Sequence, residues 1–224
     1  MSIQIQGFGG AVVEADGTTF RALRVAARPV DYGALGIYSY GGSTGILPAA
    51  LGANSEIFQF RWVDPTRFAL IRRVRISASV TTTMFAAGVP VEIDMIKSTV
   101  WTVQGTGGTG ITIGTDLKCR TSMGASLVGA GDMRKATTAA LGAGTKTFET
   151  NSLRSLVVGG PITASLNGTI IMPGTAFWEA EPGDGGHPLL LAANEGFSIR
   201  SVAVPATGTW RAAFMVDWAE LTAY

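Results

Sequence analysis

The sequence predicts an all-β protein, an antiparallel β-sandwich that favours a jelly roll, preceded by an extended N-terminal arm. Runs of alternating apolar and polar residues recur along the chain, as expected for strands with one buried face. Turn signals separate these runs at short intervals, and long stretches with a helical period are missing from the sequence. A sandwich, a jelly roll and a barrel all fit this pattern. Strands of unequal length with long connections favour the jelly roll.

The size and composition fit one β domain, with or without an arm. The chain has 224 residues, of which 30 are glycine and only 15% are charged, and its mean hydropathy is +0.30. A domain of this length buries roughly 70% of its unfolded surface, so it needs no disulfide or metal for stability. Few charges leave a large apolar surface, and we interpret part of it as covered by neighbouring subunits. A large core with Gly- and Ala-rich loops is the alternative.

Charge and local composition argue against several classes of partner. The formal net charge of +1 gives no overall attraction to nucleic acid. The sequence contains no run of about 18 apolar residues, so it predicts no membrane-spanning helix. The N-terminal stretch MSIQIQGFGG lacks the basic and apolar regions of a signal peptide. We therefore expect no direct nucleic-acid partner, no membrane partner and no signal peptide.

Residues 1–50 form the predicted arm. Asp16-Gly17 is a strong signal for a two-residue turn, and it predicts a short hairpin between residues 11–15 and 18–25. Pro29 and scattered glycines break up the sequence that follows. Because this segment has too little periodic apolar content for a core of its own, we expect it to pack on the body or on a neighbouring subunit.

Residues 51–224 form the predicted body, with roughly eight to ten strands. Clear alternation or hairpin signals predict strands at residues 58–62, 68–80, 89–96, 146–149, 156–158, 162–166 and 169–172. Weaker patterns predict a short strand ending at 101–103 and another at 111–117. Asp132–Leu141 fits either a short helix or a loop, because its N-cap is plausible but its threonine pair and flanking glycines are unfavourable.

Two local features of the body carry structural expectations. Asp64-Pro65-Thr66 predicts a turn, because Asp and Pro favour turn positions. Arg72 falls on the apolar face of the strand at residues 68–80, so we expect either a β-bulge or a buried partner there.

The stretch Leu189–Leu221 is predicted to be the centre of the core. It reads as two long strands joined by a tight turn at residues 206–208. In the second strand one face carries only apolar side chains, those of Trp210, Ala212, Phe214, Val216 and Trp218. We expect these tryptophans to be buried in the core and not to form a ligand platform.

Few residues in the sequence suggest a catalytic, cofactor-binding or metal-binding site. Gly105–Gly110 matches G-x-G-x-x-G, but a β-branched stretch follows where the dinucleotide site needs a helix, so a hairpin loop is the better interpretation. His187 is the single histidine, and its neighbours Glu179, Glu181 and Asp184 suit calcium only weakly.

Cys119 lies between Lys118 and Arg120, which could lower the pKa of its thiol. It has no nucleophile motif around it, and a single cysteine excludes an intrachain disulfide. Asn167-Gly-Thr169 is a formal glycosylation sequon that a hairpin turn also explains. We expect no enzyme, no cofactor and no metal ion.

The arginines at 61, 67, 72, 73 and 75 form the main basic concentration. Arg73 and Arg75 should share the polar face of one strand. They would suit pairing with carboxylates across a subunit contact, and a solvated sheet face is the equal alternative. Aromatic residues alternate to the opposite face, which argues against a nucleic-acid site.

Several stretches resemble a family of small virion proteins encoded by tailed bacteriophages. They are residues 21–24, 32–36, 58–62, 64–67, 120–124, 191–197 and 207–210, the last leading to Trp218. The resemblance covers most of the chain and brings no catalytic residues. It implies a β-rich subunit of the particle, either a decoration protein of the head or a tail component.

The expected function is therefore that of a non-enzymatic structural protein located in the virion. It would decorate or stabilise a capsid through its arm and loops. Its partners would be other copies of itself and other virion proteins, namely the major capsid protein or tail proteins. The alternative is a tail or fibre module that binds a carbohydrate receptor by stacking sugar rings on exposed aromatic residues, such as Tyr38, Tyr40 or Trp178.

Overall fold

A computed structural model describes residues 5–6, 12–13, 35–49, 51–82, 90–158, 170–180, 188–204 and 206–222. The chain divides into two compact units, Met1–Asp31 and Tyr32–Tyr224. In the first unit, strands β1 (Ile5–Gln6) and β2 (Val12–Val13) pair antiparallel. The hairpin predicted around Asp16-Gly17 lies outside the described residues, and β2, expected to be its first strand, has β1 as its partner.

The second unit consists of strands and connections, with no helix among its described residues. The described part of this unit contains the strands β3 (Gly36–Ser43), β4 (Leu47–Pro48), β5 (Ser55–Trp62), β6 (Phe68–Val80), β7 (Val91–Val103), β8 (Thr109–Ile111), β9 (Met133–Lys135), β10 (Thr145–Phe148), β11 (Arg154–Val158), β12 (Ile170–Glu179), β13 (Leu189–Leu191), β14 (Glu195–Ala203) and β15 (Thr209–Leu221). The predicted all-β class is confirmed.

The strands form two antiparallel sheets that pack together as a sandwich. The β6 sheet has the order β12-β6-β15-β3, with β13 also on β6 and β4 also on β15. The β7 sheet has the order β10-β7-β14-β5-β9-β8, with β11 also on β7.

Aromatic rings from both sheets fill the space between them. The centroids of Phe58 on β5 and Phe214 on β15 are 5.0 Å apart, and Phe60 stacks on Phe197 at 5.5 Å. The predicted inward face of β15 is confirmed, because each of its five apolar residues is buried to 2% exposure or less. Rings of this size bury on the order of 150–250 Å2 each, so they supply much of the driving force for folding.

The predicted hairpin between residues 189 and 221 is wrong. β14 lies between β5 and β7, whereas β15 lies between β6 and β3 in the other sheet. The turn at residues 206–208 therefore carries the chain from one sheet to the other. Alternation identifies which side chains face inward, but it holds no information about the neighbouring strand.

A β-bulge at Arg72 is confirmed. Asp217 lies opposite Arg73 and Trp218 lies opposite Ile71, so β6 has one extra residue at this point. The extra residue restores the apolar alternation on both sides of it. A second irregularity occurs in β7, where Val100 has φ +50 and two separately predicted strands are one strand. The predicted turn at residues 64–66 is also confirmed, because the Thr66 amide donates to Asp64 Oδ1 at 2.9 Å.

The sandwich begins before residue 51, the predicted start of the body. β3 pairs along β15 from Gly36 to Ser43, although its glycines had suggested an irregular arm. The glycines have a packing role, because a side chain at Gly36 would collide with the Tyr38 hydroxyl and one at Gly42 with the Tyr40 hydroxyl. The two rings thus lie over positions that only glycine leaves open.

Most of the other predicted strands match observed ones, with local differences. β10 and β11 confirm the strands predicted at 146–149 and 156–158. The strand predicted at 111–117 is present only as β8, Thr109–Ile111. Asp132–Leu141 contains the short strand β9 in place of a helix. The prediction for residues 162–166 lies outside the described part of the chain.

Candidate functional site: the outer face of the β6 sheet

Part of the outer face of the β7 sheet is buried by the chain itself. Gln59, Asp94, Ser98 and Ser198 lie on this face, and each is at most 2% exposed. Lys146 on β10 contacts Ser198, with Nζ 3.1 Å from Oγ, and the Ser152 hydroxyl donates to Asp94. The part of this face around these four residues is therefore not accessible to a partner.

Buried ion pairs join β14 to β7 and hold the segment before β9 on β5. Arg61 Nη2 lies 2.6 Å from Asp132 Oδ1, and Arg61 also donates to the carbonyl of Thr102 at 3.0 Å. Arg200 pairs with Asp94 through two contacts of 2.5 and 3.0 Å. Breaking such a pair leaves a buried charge unpaired, which is costly. Each pair therefore keeps the groups that it joins in place.

The outer face of the β6 sheet carries a groove of about 500 Å3. Its floor consists of small side chains on three adjacent strands: Ser43 on β3, Ala213 on β15, and Ser77 and Ser79 on β6. Arg211 lies at one end, donating to the Ser43 hydroxyl at 2.9 Å. Gly41 and Gly174 add no side chains and have open space beside them. A partner can therefore approach this sheet closely.

Beyond the groove, the same face carries an arginine–carboxylate network. Arg73 Nε lies 2.8 Å from Glu179 Oε1, and Arg75 Nη2 lies 3.6 Å from the same oxygen. Asp217 lies 3.9 Å from Arg73 and accepts a hydrogen bond from Ser39 Oγ at 2.6 Å. The carboxylates come from neighbouring strands of the same sheet, whereas the sequence had suggested partners across a subunit contact. Among the described residues Arg75 Nε has no hydrogen-bond partner.

The glycine-rich match at residues 105–110 leads into β8 without a helix, as predicted, but it is not a hairpin loop, because β8 pairs with β9 and not with β7. Arg134 holds this loop by donating to the carbonyl of Gly107 at 2.7 and 3.1 Å. The loop therefore has a structural partner, and it lacks the following helix whose N-terminus holds phosphate in a dinucleotide site.

The thiol pKa of Cys119 is raised, whereas its charged neighbours in the sequence had suggested a lowered pKa. Its side chain is exposed, but partial burial raises the pKa of the thiol, and the negative charge of Asp217 adds to the increase. Arg72 opposes this effect without reversing it. A raised thiol pKa leaves less thiolate at neutral pH, so the site is a poor nucleophile.

Two other candidate sites fall largely on residues that the structure does not describe. His187, Glu181 and Asp184 lie there, as does the sequon at Asn167. Glu179, the described member of the acidic loop, pairs with arginines. No cluster of potential metal ligands occurs among the described residues.

The two tyrosines proposed for sugar stacking are buried, so that expectation was wrong. Tyr38 is 0% exposed, stacks on Trp218 with centroids 5.5 Å apart, and donates to the carbonyl of Gly124 at 3.0 Å. Burial and the nearby Glu220 carboxylate raise the pKa of Tyr38 to about 12. Tyr40 is 6% exposed. Trp178 is half-buried, with the Arg154 guanidinium 5.8 Å from its ring centroid.

Sequence reasoning missed the groove and the buried polar face opposite it. The signal for the groove was present, since Ser77, Ser79 and Ala213 are all small residues on predicted outward faces. What the pattern could not supply was the adjacency of β3, β15 and β6, which brings those residues together.

Comparison with models of protein families, with curated proteins and with solved structures finds no match to this chain. Within the described residues, no helix has the length and hydropathy needed to span a membrane.

Proposed function

We propose that this protein is a non-enzymatic structural subunit of a virion, and that it decorates or stabilises a capsid by docking on neighbouring subunits. The proposal includes a jelly-roll topology for the sandwich. The strand orders β3-β15-β6-β12 and β5-β14-β7-β11 support it, because successive strands repeatedly cross between the two sheets. Jelly rolls are frequent in viral capsid and lectin domains.

The observation that carries the proposal is the difference between the two outer sheet faces. Among the described residues, the chain itself buries part of the outer face of the β7 sheet, whereas the outer face of the β6 sheet carries a groove floored by serine and alanine. A stable contact buries roughly 800 Å2 on each partner, an area that a sheet face can provide. Small side chains there allow close approach with little side-chain entropy to lose.

The charge on this face favours a protein partner over nucleic acid. Arg73 and Arg75 are already balanced by Glu179 and Asp217, so little positive potential remains for phosphate. The arginines and carboxylates of this network suit a partner whose surface presents polar groups of both signs. The major capsid protein, a tail protein or another copy of this chain would meet that requirement.

The N-terminal residues are the second part of the proposal. Sequence composition favours a segment that packs on another subunit, and the pairing of β3 with β15 limits that segment to residues before Gly36. Deleting residues 2–34 spares β3, unlike a deletion to residue 50. The truncated protein should fold and lose particle binding; full occupancy on particles would remove the arm from the proposal.

Substitution in the groove tests the docking face directly. Ala213→Arg places a long cation on the groove floor and should abolish co-sedimentation with particles. Val157→Arg is the matched control, because Val157 is 63% exposed on β11 of the other sheet. Equal binding by both variants would remove the β6 sheet from the docking role.

The carbohydrate-binding alternative now rests on Trp178, the partly exposed member of the three aromatic residues first considered. Its indole Nε1 is buried without a partner among the described residues, and its ring face lies beside Arg154. Binding of the purified protein on a glycan array, lost in Trp178→Ala, would favour this function. A silent array combined with particle binding would favour the structural role.

A further inference from the structure

A buried cluster beneath β10 brings an amine, a carboxylate and a carboxamide together. Lys146 Nζ donates to Glu56 Oε2 at 2.5 Å, and Gln59 Nε2 donates to the same oxygen at 2.8 Å. Ser198 Oγ also donates to it, at 2.6 Å. The side chains of Lys146 and Glu56 are 1% and 5% exposed. One carboxylate oxygen therefore holds two nitrogen groups that have no access to solvent.

Burial brings the lysine closer to its neutral, nucleophilic form, although the facing rings and the Glu56 carboxylate favour the charged form. Nζ lies 3.7 Å from the centroid of the Trp101 ring and 4.9 Å from that of Phe148. Burial lowers the pKa of Lys146 to about 8, although the Glu56 carboxylate opposes the shift. A desolvated lysine in an aromatic pocket is an activated nucleophile.

The carboxamide of Gln59 shares the Glu56 oxygen with Lys146 and is the electrophile of this cluster. Its nitrogen is oriented by Glu56 and by the carbonyl of Gly142, 3.1 Å away. Its oxygen, Oε1, is buried with no hydrogen-bond partner among the described residues. Because this oxygen accepts no hydrogen bond from any described residue, the carboxamide is held through its nitrogen alone.

We infer that Lys146 and Gln59 form an intramolecular amide cross-link, with Glu56 as the group that carries the proton between them. Lys146 Nζ gives a proton to Glu56 and attacks Cδ of Gln59, forming the Nζ–Cδ bond. The Cδ–Nε2 bond then breaks, Glu56 returns a proton to the departing nitrogen, and Gln59 Nε2 leaves as ammonia. A primary amine and a primary amide become a secondary amide and ammonia, so no oxidant or further reactant is needed.

The cross-link would join β10 to β5 across the covered face of the β7 sheet. Gln59 and Lys146 are 87 residues apart in the sequence. A covalent bond over such a separation restricts the unfolded chain strongly, as a disulfide over a long loop does. The single cysteine of this chain excludes a disulfide for that purpose.

Peptide mapping of the purified full-length chain by mass spectrometry tests the cross-link. The expected result is a branched peptide joined through Gln59 and Lys146, lighter by one ammonia, with no tryptic cleavage after Lys146. Separate, unmodified peptides containing Gln59 and Lys146 would overturn the inference. A product lighter by one water and joined through Glu56 would overturn it as well, because Glu56 would then be the electrophile.

Two variants test the role of Glu56 in the cross-link and its dependence on the Lys146 site. Glu56→Gln removes the proton carrier, so its Gln59 and Lys146 peptides should be separate; a cross-link in this variant would contradict the role of Glu56. Lys97→Met is the matched control, because Lys97 pairs with Glu195 at 3.4 Å on the same sheet and is more exposed. It should retain the cross-link, and loss of the branched peptide there would show that the reaction does not depend on the Lys146 site alone.

Discussion

Phe60 of the β7 sheet meets Trp218 of the β6 sheet edge-to-face, with ring centroids 5.5 Å apart. Trp218 also stacks on Tyr38 of β3, so one indole joins three strands from both sheets. Edge-to-face and stacked pairs each add roughly 0.5–1.5 kcal/mol beyond the area that they bury. This contact ties together the two halves of the sandwich.

Trp218→Ala should lower the free energy of unfolding by roughly 3–5 kcal/mol, because it leaves a cavity in a fully packed core. Trp210→Ala, at the other end of the same buried face, should have a comparable effect. Met215→Ala is the control, since Met215 lies on the outward face of the same strand and is 36% exposed. Denaturant unfolding measures all three, and near-normal stability in both tryptophan variants would contradict the core assignment.

Asp132→Ala should destabilise the protein by roughly 3–5 kcal/mol, because it leaves the mostly buried guanidinium of Arg61 unpaired. Glu179→Ala removes the exposed partner of Arg73 and should change stability by about 0–1 kcal/mol. The same unfolding experiment compares them. Equal losses in the free energy of unfolding would mean that burial does not set how much the two ion pairs contribute to stability.

Glu220 should make stability depend on pH in the acidic range. Burial raises the pKa of this carboxyl above its usual 4.5, although hydrogen bonds from Ser126, Leu127 and Trp218 oppose the shift. In the unfolded chain the carboxyl ionises first, so the folded state binds more protons between the two pKa values. The contribution of Glu220 to stability therefore falls as pH rises through that window.

Glu220→Gln should remove this slope, because an amide does not titrate. The measurement is the free energy of unfolding at a series of pH values from just below 4.5 upward, for wild type and variant. A difference between the two proteins that does not change with pH would contradict the raised pKa.

The sequence specified the strands of this fold better than their neighbours. The inward face of β15 and the bulge at Arg72 follow from alternation, because each depends on which residues within one strand are apolar. The pairing of β15 with β3 does not, since β3 is rich in glycine and its tyrosines supply the packing that the glycines lack. Long-range pairing is a tertiary property that local pattern does not contain.

The same limit explains why the candidate site could not be predicted from the sequence. Ser77, Ser79 and Ala213 are outward-facing by alternation, yet a groove arises only when β6 and β15 lie side by side. Lys146, Glu56 and Gln59 likewise come from strands that no local signal connects. Tyr38 and Tyr40 were expected at the surface, and the glycines beside them are what allow the rings to be buried.

The most direct test of the proposed virion role is the location and copy number of this protein in purified particles. Quantitative mass spectrometry gives the copy number, and imaging of the particles gives the position and the face in contact. The account predicts many copies on the head, with the groove of Ser43, Ser77 and Ala213 against a neighbouring subunit. Purified particles that lack this protein would contradict it.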